Sequence, residues 1–209
     1  MRTIIIAVAA LWLAGCAKKE EPTPRPPLPP AQLQQPMNAG GAPAAMGADG
    51  SVQVGPLAGK VPDGWSSVAP ASSMRVAQFA LKAEAGDTEG GEVSAFYFGP
   101  DAGGVEANIQ RWFGQFERSD GKAVADNAKR EEMEAGGMKV TIVTFTGTMK
   151  ASSMAGAPQT GPREGWMNSS AIVMTSQGPW FFKGTGPEKT MKAHLAGFKQ
   201  FIASLKMAG

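Results

Sequence analysis

Hydrophobic and polar positions divide the chain into three stretches. Residues 4–13 are apolar and follow a basic start at Arg2. A run of this length suits the apolar region of a signal peptide and is short for a bilayer span. Between 17 and about 54 no hydrophobic period exists. Pro22, Pro24, Pro26, Pro27, Pro29, Pro30 and Pro36 fix φ and remove backbone donors, and 38–50 turn to Gly, Ala and Met. The expectation is a disordered tether, stiff and polyproline-like first and flexible afterwards. At about 3.1 Å per residue, twenty such residues reach about 60 Å. Periodic patterning begins near Pro56, which sets one folded part over 56–209.

The folded part opens on Val61-Pro62-Asp63-Gly64-Trp65, turn chemistry followed by an aromatic that caps the core. Residues 73–82 alternate, with Val76, Gln78 and Ala80 on one face and Ala77, Phe79 and Leu81 on the other, which predicts a strand. A polar loop over 84–92 leads to a second strand over 93–98. Val105, Ile109, Trp112, Phe113 and Phe116 form one apolar stripe at helical spacing. The helix is expected to run to about 119–121, with Gly114 inside it at a cost of about 1 kcal/mol relative to Ala; a close approach to a sheet is the simplest reason for that glycine. Residues 129–134 read as a charged edge strand, with a short helix as the alternative. Residues 138–149 are the clearest strand, Val140 and Ile142 alternating with Thr141, Val143 and Phe145. A Gly/Pro/Ser/Ala-rich loop over 150–165 precedes a hairpin of 167–176 and 179–183. Gly186-Pro187 then starts a last helix whose stripe is Met191, Leu195, Phe198, Ile202 and Leu205. Strands outnumber helices and most connections are hairpin-length. The fold class is α+β: a mainly antiparallel sheet with two main helices packed on it, preceded by the Pro-rich tether.

Composition narrows the function classes. The formal net charge is +2 over 209 residues, too balanced for the basic face of a nucleic-acid binder. Cys16 is the single cysteine, so no disulfide or thiolate metal site forms within the chain.

Leu13-Ala14-Gly15-Cys16 resembles the lipobox of bacterial lipoprotein signal peptides at every motif position. The resemblance implies a diacylglyceryl group on the Cys16 thiol, cleavage after Gly15 and acylation of the new amino terminus. It places the mature chain in the cell envelope, lipid-anchored through Cys16. Ala17 follows the cysteine, with no Asp there, which directs the expectation to the periplasmic face of the outer membrane. Pro62-Asp63-Gly64-Trp65, the strand-rich middle with its one helix, and the closing Phe182-Lys183-Gly184, Gly186-Pro187, Phe198, Phe201-Ile202 and Ser204-Leu205 resemble PsbP-like and DcrB-like domains over about 60–206. That resemblance implies a sheet flanked by helices on both faces and an accessory or binding role, and it brings no catalytic residue.

Candidate chemistry is sparse. Gly99-Pro100-Asp101-Ala102-Gly103-Gly104 joins a strand to a helix but lacks the P-loop Lys-Ser/Thr and the dinucleotide glycine spacing. It reads as a tight connection, and no cofactor is expected. His194, the single histidine, lies one position off the last helix's stripe and reads as a boundary residue. Asp87, Glu89, Glu92, Glu131, Glu132 and Glu134 read as a charged surface protecting a sheet edge. An alternative is an envelope hydrolase built on two of these carboxylates. A further alternative is a copper or heme-related carrier in which Met149 and Met154 supply thioethers. Pro26-Pro27-Leu28-Pro29-Pro30 suits an aromatic-lined groove as well as a bare spacer. Trp112, Trp166 and Trp180 are candidates for a ligand cleft between helix and loop, with Arg75, Arg111 and Arg163 as its polar groups. The leading reading is a non-catalytic lipoprotein whose partners are the bilayer and an envelope protein or small ligand.

Overall fold

The computed structural model describes residues 42–151 and 161–208. Cys16 with its lipobox, the tether as far as 41, and Met154 lie outside the described residues. In chain order the elements are β1 (Ser51–Val54), β2 (Leu57–Lys60), β3 (Trp65–Val68), β4 (Arg75–Leu81), β5 (Gly91–Tyr97), α1 (Val105–Phe113), β6 (Phe116–Glu117), a 3-10 turn (Val124–Asn127), β7 (Lys129–Ala135), β8 (Met138–Met149), β9 (Arg163–Thr175), β10 (Gly178–Pro187), α2 (Glu188–Ser204) and β11 (Lys206–Met207).

Every strand pairing is antiparallel. The main sheet runs β3-β4-β5-β10-β9-β8, and β6 and β7 both pair along the outer side of β8. A small sheet has the order β1-β2-β11. Strand alternation gives the main sheet two buried faces. On one, Phe79, Val140, Ile142, Val173 and Phe182 pack against Phe198, Phe201 and Ile202 of α2 and against Val54 and Leu57 of the small sheet. On the other, Val143, Phe145, Ile172 and Phe181 pack against Ile109 and Trp112 of α1. The fold is α+β with a helix on each face.

The alternation read from 73–82 and 138–149 gives β4 and β8, and Ala77, Phe79, Leu81, Val140, Ile142, Val143 and Phe145 are all buried. The charged strand over 129–134 is β7, a sheet edge whose Arg130 pairs with Glu106 and Glu132 and whose Glu131 meets Lys199 at 2.6 Å. Charge at an unpaired edge hinders pairing with other chains.

Several boundaries differ from the sequence reading, β9 starting already at Arg163, and three of the differences have a clear cause. The folded part starts before 56: β1 lies within the stretch assigned to the tether, and Val52 and Val54 are buried because β1 pairs with β2 over the core. Helix α1 stops at Phe113 with Gly114 as its C-cap, and Phe116 leaves the helical stripe to join β6 opposite Met149. A Cβ on Gly114 would meet only carbonyls of its own helix end at 3.5 and 3.6 Å, so no close approach to the sheet explains this glycine. Gly186 and Pro187 belong to β10, with Pro187 as N-cap of α2. Gly186 does mark a close approach: a Cβ there would lie 2.6 Å from the Cα of Gly91, so two glycines let β10 turn into α2 over the end of β5.

Candidate functional site

The α1 side of the main sheet is apolar where the helix covers it and polar beside the helix. Residues directly opposite one another on antiparallel strands share a face. Registration therefore writes two rows across the sheet. One runs Gln78, Ser94, Lys183, Ser170 and ends on Val143 in β8. The next runs Ala80, Glu92, Thr185, Asn168 and ends on Phe145. The rows are polar across β5, β10 and β9 and turn apolar at β8 and, in the second row, at Ala80 of β4. Ser94, Asn168, Ser170 and Thr185 are buried.

The hydrogen bonds of this band are incomplete among the described residues. Ser170 Oγ donates to Asn168 Oδ1 at 2.9 Å, and Asn168 Nδ2 donates to the Val143 carbonyl at 3.4 Å. Glu92 Oε2 accepts from Arg75 at 3.0 Å and from Gln78 at 3.1 Å. Lys183 Nζ donates to Gln115 Oε1, a neutral acceptor. Ser94 Oγ is buried with no partner.

Lys183 is half-buried, and burial strips part of its ammonium's hydration. Loss of that hydration pushes the group down to about 8 from its ordinary 10.5; Glu92 pulls it back up and Arg75 adds to the depression. An ammonium that loses hydration needs acceptors, and a depressed amine pKa is one of the signals that accompany functional sites.

The residues proposed for a cleft separate in the structure. Trp112 and Trp166 are buried on the α1 face, and Arg75 reaches the polar band through Glu92. Arg163 stacks over Trp166 at 4.5 Å and pairs with Glu89 at 3.0 Å. Trp180 does not join them. Its position in β10 alternates with Phe181, so it faces the α2 side, where it stacks on Tyr97 at 4.9 Å and packs over Gly55. A cleft lined by all three tryptophans is excluded by the period-two geometry of the strand. Arg111 is exposed on α1 and donates to Asn108 Oδ1 at 2.7 Å, so it supports the helix start rather than a cleft.

The other candidates also have identifiable places. Asn108 Nδ2 donates into the carbonyls of Ala102, Gly103 and Gly104, which makes the Gly-rich connection a self-held turn. His194 bridges two elements: Trp65 Nε1 donates to its Nδ1 at 3.2 Å, which fixes the proton on Nε2, 3.0 Å from the Lys82 carbonyl. It borders an open groove of about 520 Å³ formed with Lys60, Pro62, Asp63 and Gln200. The carboxylates of the hydrolase alternative do not converge. Asp87 holds Thr190, Glu89 holds Arg163, Glu92 holds Arg75 and Glu131 holds Lys199. Met149 packs beside the α1 cluster.

Sequence reasoning passed over Ser94, Gln115, Asn168, Ser170 and Lys183 as site residues. The available signal was polarity inside apolar strands: Asn168, Ser169 and Ser170 stand together between Trp166-Met167 and Ala171-Ile172-Val173, and Lys183 follows Trp180-Phe181-Phe182 on the face of Phe181.

No protein-family model matches this chain, and no curated protein matches it. Among solved structures it is similar to LpqN, involved in cell envelope biogenesis of Mycobacterium tuberculosis, at 10% identity over 73% of this chain and 83% of that one, with a TM-score of 0.47. It is similar to the cyanobacterial PsbP (CyanoP) of Synechocystis sp. PCC 6803 at 12% identity over 80% and 95%, with a TM-score of 0.44. It is also similar to PA94 of Pseudomonas aeruginosa, a protein of unknown function, at 11% identity over 76% and 96%, with a TM-score of 0.42. These are distant likenesses of overall shape, and they give no residue of this chain a role.

Proposed function

We propose that this chain is a lipoprotein of the bacterial envelope, held to the membrane through acylated Cys16, whose α+β domain is a non-catalytic binding module. The binding face is the polar half of the α1 side of the main sheet. One observation carries the second statement: a polar band with the half-buried Lys183 at its centre crosses three strands in the interior of a sheet, where packing alone favours apolar side chains. Such a band costs stability, and a ligand that supplies acceptors offsets the cost. The anchoring statement is supported by Leu13-Ala14-Gly15-Cys16 and by the proline-rich stretch behind it, which suits a spacer between a membrane and a domain. No helix among the described residues is long and apolar enough to cross a membrane.

Two measurements test these statements separately. Metabolic labelling with an alkyne palmitate should mark the wild-type chain and leave Cys16→Ser unmarked; equal labelling of both removes the anchor. A thermal-shift screen of charged, polar and aromatic small molecules against the purified mature chain should find compounds that stabilise wild type and leave Lys183→Gln unmoved. If every compound that shifts one shifts the other equally, the face is not the binding site.

A further inference from the structure

The shape and charge of the face narrow its ligand. Two cations, Lys183 and Arg75, face one carboxylate, Glu92, which already accepts from Arg75 and Gln78. An ammonium has three donors, and Gln115 takes one of those on Lys183. Ser94, whose Oγ has no partner among the described residues, sits directly opposite Lys183 in the register, which puts their Cβ atoms about 5 Å apart. Lys183 and Ser94 therefore offer unused donors from neighbouring positions on one face of the sheet. One surplus positive charge beside Glu92 suits a monoanion better than a dianion such as phosphate.

A second, independent feature adjoins this pair. Along β5, Phe96 is one pleat from Ser94, about 7 Å away, and Phe98 one pleat further. Phe96 and Phe98 stack at 5.8 Å, Phe98 leans on Phe181 at 5.9 Å, and Phe98 is 52% exposed. The exposed Phe98 ring and the half-buried Phe96 ring, on the same face as the polar band, form an apolar shelf for a ligand body.

We propose that the ligand of this face is an organic carboxylate carrying an apolar body, its carboxylate seated between the Lys183 ammonium and the Ser94 hydroxyl and its body on the Phe96–Phe98 shelf. This rests on the reading of the face as a binding site. Calorimetric titration of the mature lipoprotein in a neutral detergent, with benzoate, acetate, inorganic phosphate, benzyl alcohol and trehalose as probes, tests it. Benzoate is expected to bind about tenfold more tightly than acetate, from burial of its ring. Lys183→Gln is expected to weaken benzoate by about tenfold or more, the weight of a hydrogen bond to a charged group. Phe98→Ala should remove the advantage of benzoate over acetate and leave acetate unchanged. Circular dichroism establishes that each variant is folded, and if Lys183→Gln is not, Ser94→Ala and Phe98→Ala decide. Phosphate binding above benzoate, benzyl alcohol matching benzoate, or indifference to the substitutions overturns the assignment. Trehalose binding that depends on Lys183, with no anion bound, overturns the carboxylate and leaves the face standing. If no probe binds, both readings fall.

Discussion

Burial of the Lys183 ammonium should be visible in the pH dependence of unfolding. Its folded pKa of about 8 lies below the ordinary 10.5, so between these values the unfolded chain holds a proton that the folded chain lacks. Stability then rises with pH across that window, and below about 8 the full cost of burial is present. Lys183→Met is expected to abolish the rise. At pH 7 it should stabilise the domain by about 1–3 kcal/mol, because an apolar side chain of similar volume replaces a desolvated charge. Urea midpoints of both proteins at pH 7 and pH 10 check this; a flat wild-type profile, or a large loss at pH 7 in the variant, sinks it. Ser94→Ala should change stability by under about 0.5 kcal/mol, since no partner among the described residues is lost.

Helix α2 begins at Pro187, which offers no side-chain cap, and a distant residue does the capping. Asp87 Oδ2, from the loop between β4 and β5, accepts from the Thr190 backbone N–H at 2.9 Å and from the Thr190 hydroxyl at 2.5 Å. The carboxylate satisfies an orphan donor of the first turn and lies at the positive end of the helix dipole. Asp87→Ala is therefore expected to cost about 1–2 kcal/mol, and Asp87→Asn less. Hydrogen exchange should localise the loss to the first turn of α2 and the loop over 84–90; an unchanged exchange pattern there contradicts the assignment. At α1 no side chain caps the first turn; Asn108 Nδ2 instead donates to the carbonyls of 102–104 and holds the connection that enters the helix.

The whole domain is joined through α2, which packs on the main sheet, the small sheet and β7. Phe201 sits at the junction, with ring centroids of Phe79 and Phe182 at 5.6 Å and of Trp65 at 5.8 Å, and it is fully buried. Phe201→Ala should cost about 3–5 kcal/mol from lost burial plus the cavity. A domain of this size has only about 5–15 kcal/mol in reserve, so a large fall in melting temperature is expected. The α1 face should tolerate truncation better at Phe98, which is half exposed. If Phe98→Ala proves as destabilising as Phe201→Ala, Phe98 belongs to the core and not to a shelf.

The sequence by itself determined the features that depend on local period. Alternation in 75–81 and 138–149, the helical stripe from Val105 to Phe113 and that from Met191 to Ile202 are legible because one buried face repeats every two or 3.6 residues. The same local signal misled at Phe116, which keeps helical spacing but pairs with Met149 thirty-three residues on. The start of the fold was missed because β1 gains its stability from β2 and the core, not from its own four residues. Trp180 was grouped with Trp112 and Trp166 because tryptophans apart in sequence carry no mark of which sheet face they meet. Only the tertiary structure decided the site. Ser94, Ser170 and Lys183 come from three separate strands, and antiparallel registration alone sets them side by side. Registration is fixed by contacts between distant segments, and a one-residue slip would send each of these side chains to the opposite face.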